Sequence, residues 1–512
     1  MNLDAEIAPF KLNEHAEQWL AARCAHWQNE TDKIQAELRL AQLKIQALTL
    51  ELAHHKRLRF GHKSEALTSE QRSLFEETWE TDLGEIQAQV TEHLLPSSRT
   101  PRQSAGRQAL PEHLPRIEHR HEPESCDCAQ CGQALVKISE DVSEQLDVEP
   151  ARFFVHRHIR PQYACRACET MSAAPVPAAI IDGGLASPGL LTWITASKYL
   201  DHLPLYRLEA IAERQGVHLA RSSLAQWIGQ TGAALQPLAE RLAELLRERA
   251  VLHADETPVA QLDPGKGKTK RAYLWAYRSN DLDTGPPIAV FDYQLSRSGS
   301  HAQTFLQGWQ GDLVVDDFKG YKALFSKGIA EVGCMAHARR KFFDLYAANQ
   351  SPLAQQALEM IGELYEIEKR ARASPGECEA LRRKETIPKL QTYHQWLLET
   401  RVTVADNSAL ARAIDYSLRR WQALSRFAHS ANLPIDNNAI ENIIRPIAVG
   451  RKNWLFIGSE RAGRRAAAIQ SLFATAKLNG LDPAAWLKDT LEKLPAWPHR
   501  RIDELLPLPP PL

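Results

Sequence analysis

The 512-residue chain has almost no net charge, with 62 Lys and Arg against 63 Asp and Glu, so overall charge singles out no partner. It has no apolar run near the roughly 20 residues that span a bilayer. Its opening residues, MNLDAEIAPF, lack a basic segment leading into an apolar one. Neither a membrane span nor a secretory leader is expected, and the expected location is the cytoplasm. Cysteine is scarce outside one cluster: only three of eight lie beyond residues 126–168. In a reducing compartment that distribution argues against a disulfide framework and for metal ligation.

What is present is ordinary for a globular protein, with 44% hydrophobic and 24% charged residues. The length exceeds what one core fills, so several domains are expected. Trp27, Ile34, Ala41 and Leu48 recur every seven residues, with Leu38, Ile45 and Leu52 interleaved. This predicts a coiled coil over 27–60 that joins copies of the chain, or else a long amphipathic helix packed on its own domain. A basic segment and a Pro/Ser/Gly-containing linker fill 61–125.

Residues 126–175 hold two Cys-x-x-Cys knuckles, Cys128 with Cys131 and Cys165 with Cys168. Two such pairs place four thiolates around one tetrahedral zinc ion, a closed structural site. Cys126 could replace Cys128 on spacing alone, although the matched two-residue gap favours Cys128. The intervening ARFFVHRHIRPQYAC alternates as a strand does, and its Arg152, Arg157 and Arg160 are candidate phosphate contacts.

A helical segment, 185–250, contains LYRLEAIAERQGVHLARSSLAQWI. It reads as a helix, a turn at Gly216, a cap at Ser222 or Ser223, and a second helix ending near Trp227. This helix-turn-helix outline is shared by many helical hairpins. From residue 251 the pattern turns to strands: VLHADETPV, AYLWAYRS and PIAVFDYQ as a meander, then DLVVDDFKGY and AEVGCMAH between helices. The fold class is multidomain α/β, its mixed sheet running over 251–465 with a helical insertion at about 350–430. A C-terminal helical module and a Pro-rich tail occupy 466–512, with Asp482 capping the last helix.

Asp255 and Asp316 each sit in or at the end of an apolar strand, where acids are either paired, metal-bound or strand-end caps. Glu441 lies in a stretch, Arg419 to Arg465, with nine basic residues against three acids. A helix starting near Asp436 puts Asn437, Glu441 and Arg445 on one face, and Pro446 is expected to end or kink it. A carboxylate there would repel a phosphodiester unless a divalent cation intervened. Oxygen donors suit Mg2+ or Mn2+, and two such ions about 4 Å apart serve both the attacking and the leaving oxygen. Arg445, Arg451 and Lys452 would then hold the DNA strand.

The ordered set HADETP, VVDDFKGY, CMAHARRKF, DNNAIENIIRP, GRKNWLF, TAKLNG and DPAAWL, with the zipper-like and Cys-knuckle segments before it, closely resembles transposases of the IS sixty-six insertion-sequence family. The resemblance covers nearly the whole chain. It implies an RNase H-like DDE catalytic domain in which Asp255, Asp316 and Glu441 bind two Mg2+ or Mn2+ ions. It marks Cys334 and His337 as a Cys-x-x-His element, His337 either orienting phosphate or water or serving as a buried structural residue. Arg340, Arg445, Arg451, Lys452 and Trp454 are implied on DNA, Trp454 stacking on a base or filling the core. The implied activity is metal-dependent cleavage and strand transfer at insertion-sequence ends, in a bacterial, nucleoid-associated homo-oligomer, with accessory proteins from the same element. Departures are Asp317-Phe318 for the family's Gly-Tyr, Met335 for Trp and Asn442 for Arg. A zinc-containing DNA-binding regulator without catalysis is the alternative. A two-carboxylate glycosidase needs neither the basic stretch nor the knuckles.

Overall fold

A computed structural model describes residues 14–60, 114–122, 136–149, 152–263 and 268–509, with isolated residues between 81 and 112. Cys126, Cys128, Cys131 and most of the 61–125 segment lie outside the described residues. Glu14–Phe60 is one helix of 47 residues, as expected of a stretch with neither Gly nor Pro. Trp27, Ile34, Leu38, Ile45 and Leu48 along it are all more than half exposed.

Strands β1 (Arg116–Arg120), β2 (Val136–Glu149), β3 (Arg152–Ala164) and β4 (Met171–Ala173) form a sheet in the order β1-β3-β2, with β4 also on β3. The parallel β1/β3 register stacks four imidazoles on one face. His119 bonds His156 at 2.8 Å, His121 bonds His158 at 3.0 Å, and His156 reaches Asp147 at 2.6 Å. Burial, then the neighbouring imidazoles His119, His121 and His156, push His158 down to about 4. The unfolded chain takes up that proton near pH 6.5. The ladder's stability is therefore complete above about 6.5 and is lost as pH falls toward 4. Amide exchange in β1 and β3 should accelerate across that window, and less steeply in His158→Asn.

Helices Pro188–Tyr199, Leu205–Glu213 and Arg221–Leu246 follow. Gly216 takes φ 74 in the turn before the third, a left-handed conformation that suits glycine. The third helix opens on Ala220 without a side-chain cap, not at Ser222 or Ser223, and runs well past Trp227 to Leu246. Its buried stripe continues unbroken through Leu235, Leu238 and Leu242, so packing carries the helix across Pro237.

The central sheet comprises β5 (Val251–Asp263), β6 (Lys268–Ser279), β7 (Ala289–Gln294), β8 (Asp312–Val315) and β9 (Ala330–Gly333) in the order β7-β6-β5-β8-β9. The first three are the expected antiparallel meander, whereas β8 and β9 join β5 in parallel. The C-terminal helix Glu460–Leu478 lies along edge strand β7. Its Ser471 and Thr475 hydroxyls accept from Phe291 N at 2.7 Å and Ala289 N at 3.1 Å, which closes an edge otherwise open to pairing. Asp482 caps the following helix, Pro483–Lys493, by accepting from Ala485 N.

The helices Pro352–Ala373, Ile387–Arg401 and Ala409–Arg419 form, with Met335–Asn349, a second core under β8 and β9. Arg382, fully buried, ties them to the chain that follows. It donates to Glu368 at 2.8 and 2.5 Å and to the carbonyls of Phe427 at 2.8 Å and Leu433 at 3.0 Å. No helix among the described residues is long and apolar enough to cross a membrane.

Candidate functional site

Odd-numbered residues of β5 share one face. Val251 belongs to the core of the helices after β9, Val259 to a separate core beneath β6 and β7. His253 and Asp255 fall between them, at a polar seam between two apolar clusters. The parallel register pairs Val251 with Asp312 and His253 with Val314. Continued two residues, it sets Asp255 opposite Asp316, just past the end of β8.

Glu441 comes to the same place on the helix Asn438–Trp454, which Asn437 starts. Asn437 latches that start to two strands. Its Nδ2 donates to Ala254 O at 3.0 Å, its Oδ1 accepts from His253 Nδ1 at 2.8 Å, and its backbone N–H donates to Cys334 Sγ at 3.2 Å. Met335 N donates to Ile435 O at 3.0 Å alongside. Sequence reasoning placed Asn437 on the face of Glu441 but missed this role, since His253 and Ala254 are remote in the chain. Asn437→Ala leaves buried polar groups unpaired, each costing about 1–3 kcal/mol. Thermal unfolding should show that loss, and the Glu441 helix should exchange its amides faster.

Cys334 begins the helix Met335–Asn349 and is buried, which pushes its thiol up to about 12. It packs as a neutral group at neutral pH. His337, one turn on, points Nδ1 at Glu441 Oε1 from 3.8 Å, and that nitrogen is buried without a hydrogen-bond partner.

Burial, then the charges of Glu256, Asp316 and Glu441, raise Asp255 to about 7. Acids crowded together in a buried seam behave this way. Among the described residues no three such donors already converge on one point. Asp255 Oδ1 accepts from Glu256 N at 2.8 Å and Asp316 Oδ1 from Phe318 N at 2.9 Å. Asp255, raised with Asp316 and Glu441 among the causes, belongs to the kind of acid cluster whose repulsion a divalent cation would relieve. Glu256 does not compete for that role. It is held by Arg297 at 2.7 Å and by Tyr321 OH at 2.9 Å, with Arg297 lying over the Phe318 ring at 4.0 Å.

The basic stretch divides in two. Arg420 pairs with Asp317 and Glu331, both at 2.8 Å, which also turns Asp317 away from Asp316. Arg461 and Arg465 pair with Glu85, and Arg464 with Glu460. Arg157 and Arg160, read as phosphate contacts, pair with Glu118 and Asp141. Arg340, Arg445 and Lys452 remain exposed. Arg451 donates to Pro258 O, and Trp454 is half-buried against the Ile440 and Ile444 cluster, the core placement.

Pro446 neither ends nor kinks the helix out of existence: it continues to Trp454. Pro446 and Asn442, whose carbonyl the ring deprives of its donor, are both exposed, so water can replace the lost bond. Gly450 lets this helix approach His202, whose ring a Cβ would strike.

In the β3–β4 turn, Cys165 N donates to Thr170 O at 2.9 Å and Glu169 N to Cys165 O at 2.8 Å. Cys165 is buried and Cys168 half-buried beside Thr170. Tight backbone of this kind suits a zinc knuckle; its partner pair falls outside the described residues.

Comparison with known proteins gives a consistent result. The model of the Transposase IS66 family matches residues 183–465. Those of the zinc-finger binding domain of transposase IS66, the IS66 C-terminal element and the Transposase C of IS166 homeodomain match 125–169, 471–508 and 47–118. Among curated proteins, the uncharacterized protein y4qI of Sinorhizobium fredii is 38% identical across 95% of this chain and 93% of its own length. The uncharacterized protein y4jD of the same organism is 37% identical across 87% and 91%.

Proposed function

The chain belongs to the Transposase IS66 family, and from that premise we propose that it binds the ends of an insertion sequence and catalyses metal-dependent DNA cleavage and strand transfer. The observation that supports this reading is the parallel β5/β8 register, which continued by two residues sets Asp255 opposite Asp316, with Asp255 raised first by burial and then by the charges of Glu256, Asp316 and Glu441. The sheet order supports an RNase H-like catalytic domain, with one acid on its first strand, one just past the end of its fourth and a third on a helix after the insertion.

In this reading the three carboxylates hold two Mg2+ or Mn2+ ions. When bound, the ions supply charge neutralisation and activation of the attacking oxygen. The chain's own groups do the positioning. Asn437 fixes where Glu441 enters, and His337 orients a phosphate oxygen or the attacking water from its unpartnered nitrogen. Arg340, Arg445 and Lys452 bind backbone phosphates, while Arg451 and Trp454 hold the platform under the strand. A hydroxyl oxygen attacks phosphorus, the bond to the 3′ oxygen breaks, and that oxygen leaves with a proton. Cys128, Cys131, Cys165 and Cys168 hold a structural zinc ion. The exposed apolar seam of Glu14–Phe60 supports pairing with a second copy.

Labelled duplex carrying the element's ends, incubated with the protein and Mg2+ or Mn2+, should be nicked at the element boundary and joined to target DNA. Binding without any cleavage under either ion would favour a non-catalytic regulator instead.

A further inference from the structure

The helix that carries Glu441 has a second working face. Asn438, Asn442 and Pro446 follow Asn437, Glu441 and Arg445 by one residue each, hence by about 100° around the axis. They line a separate cavity of ≈ 670 Å³. Arg278 and Asn280 form its floor, Arg372 comes from the helix Pro352–Ala373, and Lys477 from Glu460–Leu478. Such a volume suits a single small ligand and not a duplex.

Its chemistry is that of an anion with a hydrogen-bonding edge. Arg278 is only 5% exposed, pairs with Asp281, and leaves its Nε without a partner. Arg372 and Lys477 are exposed and make no ion pair among the described residues. The other acid at the wall, Asp436, is already taken up by Tyr365 OH at 2.9 Å and by Asn438 at 3.0 and 3.1 Å. Cationic groups of this kind take phosphate. Asn442 offers an amide to a base edge, and the half-buried Tyr365 lines the space with a ring on which a base can stack. His253, whose Nδ1 holds Asn437, also lines this cavity, with Nε2 3.5 Å from Asn280 Oδ1. The latch of the acidic site is therefore part of the pocket's floor.

We propose that this pocket receives one unpaired nucleotide of the DNA strand processed at the three carboxylates. The inference rests on the transposase reading, because only a strand running past Glu441 reaches around the helix to Asn442.

The test uses the full chain with Ca2+ and element-end duplexes carrying 2-aminopurine at successive positions around the cleavage boundary. Anisotropy of a distal dye reports binding in the same sample. A severalfold rise in 2-aminopurine emission at one or two positions is expected on binding. It should be lost in the Asn442→Leu/Lys477→Ala double variant, with affinity changed less than about fivefold. Both side chains are exposed, so the fold should persist, as circular dichroism would verify. Normal binding with no rise at any position, or a rise that the double variant leaves intact, overturns the pocket alone. No binding to the end duplex overturns the transposase reading and the pocket together.

Discussion

Asp316→Asn should lower strand cleavage and strand transfer by at least about a thousandfold, the scale lost when one member of a cooperating catalytic set is removed, with end binding little changed. Asparagine keeps the oxygen that accepts from Phe318 N and nearly the same shape. Only the charge facing Asp255 is lost. The neighbouring Asp317→Asn makes the control: its carboxylate pairs with Arg420, which keeps Glu331 as a partner. That change should cost about 1 kcal/mol or less and leave cleavage nearly intact. If Asp316→Asn kept full activity and Asp317→Asn abolished it, the assignment of the second acid would be wrong.

Arg382→Met should destabilise the protein by about 3–5 kcal/mol, because it strands Glu368 as an uncompensated buried charge. Glu368 is 2% exposed and Arg382 0%, so water cannot reach either to compensate. Pairing the change with Glu368→Leu should recover much of the loss, since apolar replacement of a whole buried pair is often neutral. Chemical denaturation of the two variants measures the difference. Arg382 also holds the carbonyls of Phe427 and Leu433, on the segment leading into Asn437. The single variant should therefore cleave DNA more slowly even where it remains folded. A midpoint equal to that of the unchanged protein would show the pair to be dispensable.

The sequence made the strand meander and the long N-terminal helix readable because each is signalled locally, by its period. What it concealed depends on distant partners. Nine basic residues between Arg419 and Arg465 read as a local excess of positive charge, yet Arg420, Arg461 and Arg465 meet acids far away in the chain. Pro446 signalled a helix end or kink, yet the helix continues to Trp454 because water can reach the carbonyl the ring leaves without a donor. The histidine ladder required the parallel register of β1 on β3, which no short pattern encodes. The Asn437 latch required knowing that β5 and β9 would flank the start of its helix. Trp454 was open between base and core, and its half-buried packing supports the core placement.

The N-terminal helix has one more consequence. At about 1.5 Å per residue, its 47 residues make a rod of roughly 70 Å. Two protomers zipped along such a rod could grip two separate boundaries of a mobile segment at once. Synapsis would then be a matter of reach and need not require the cutting domains to touch.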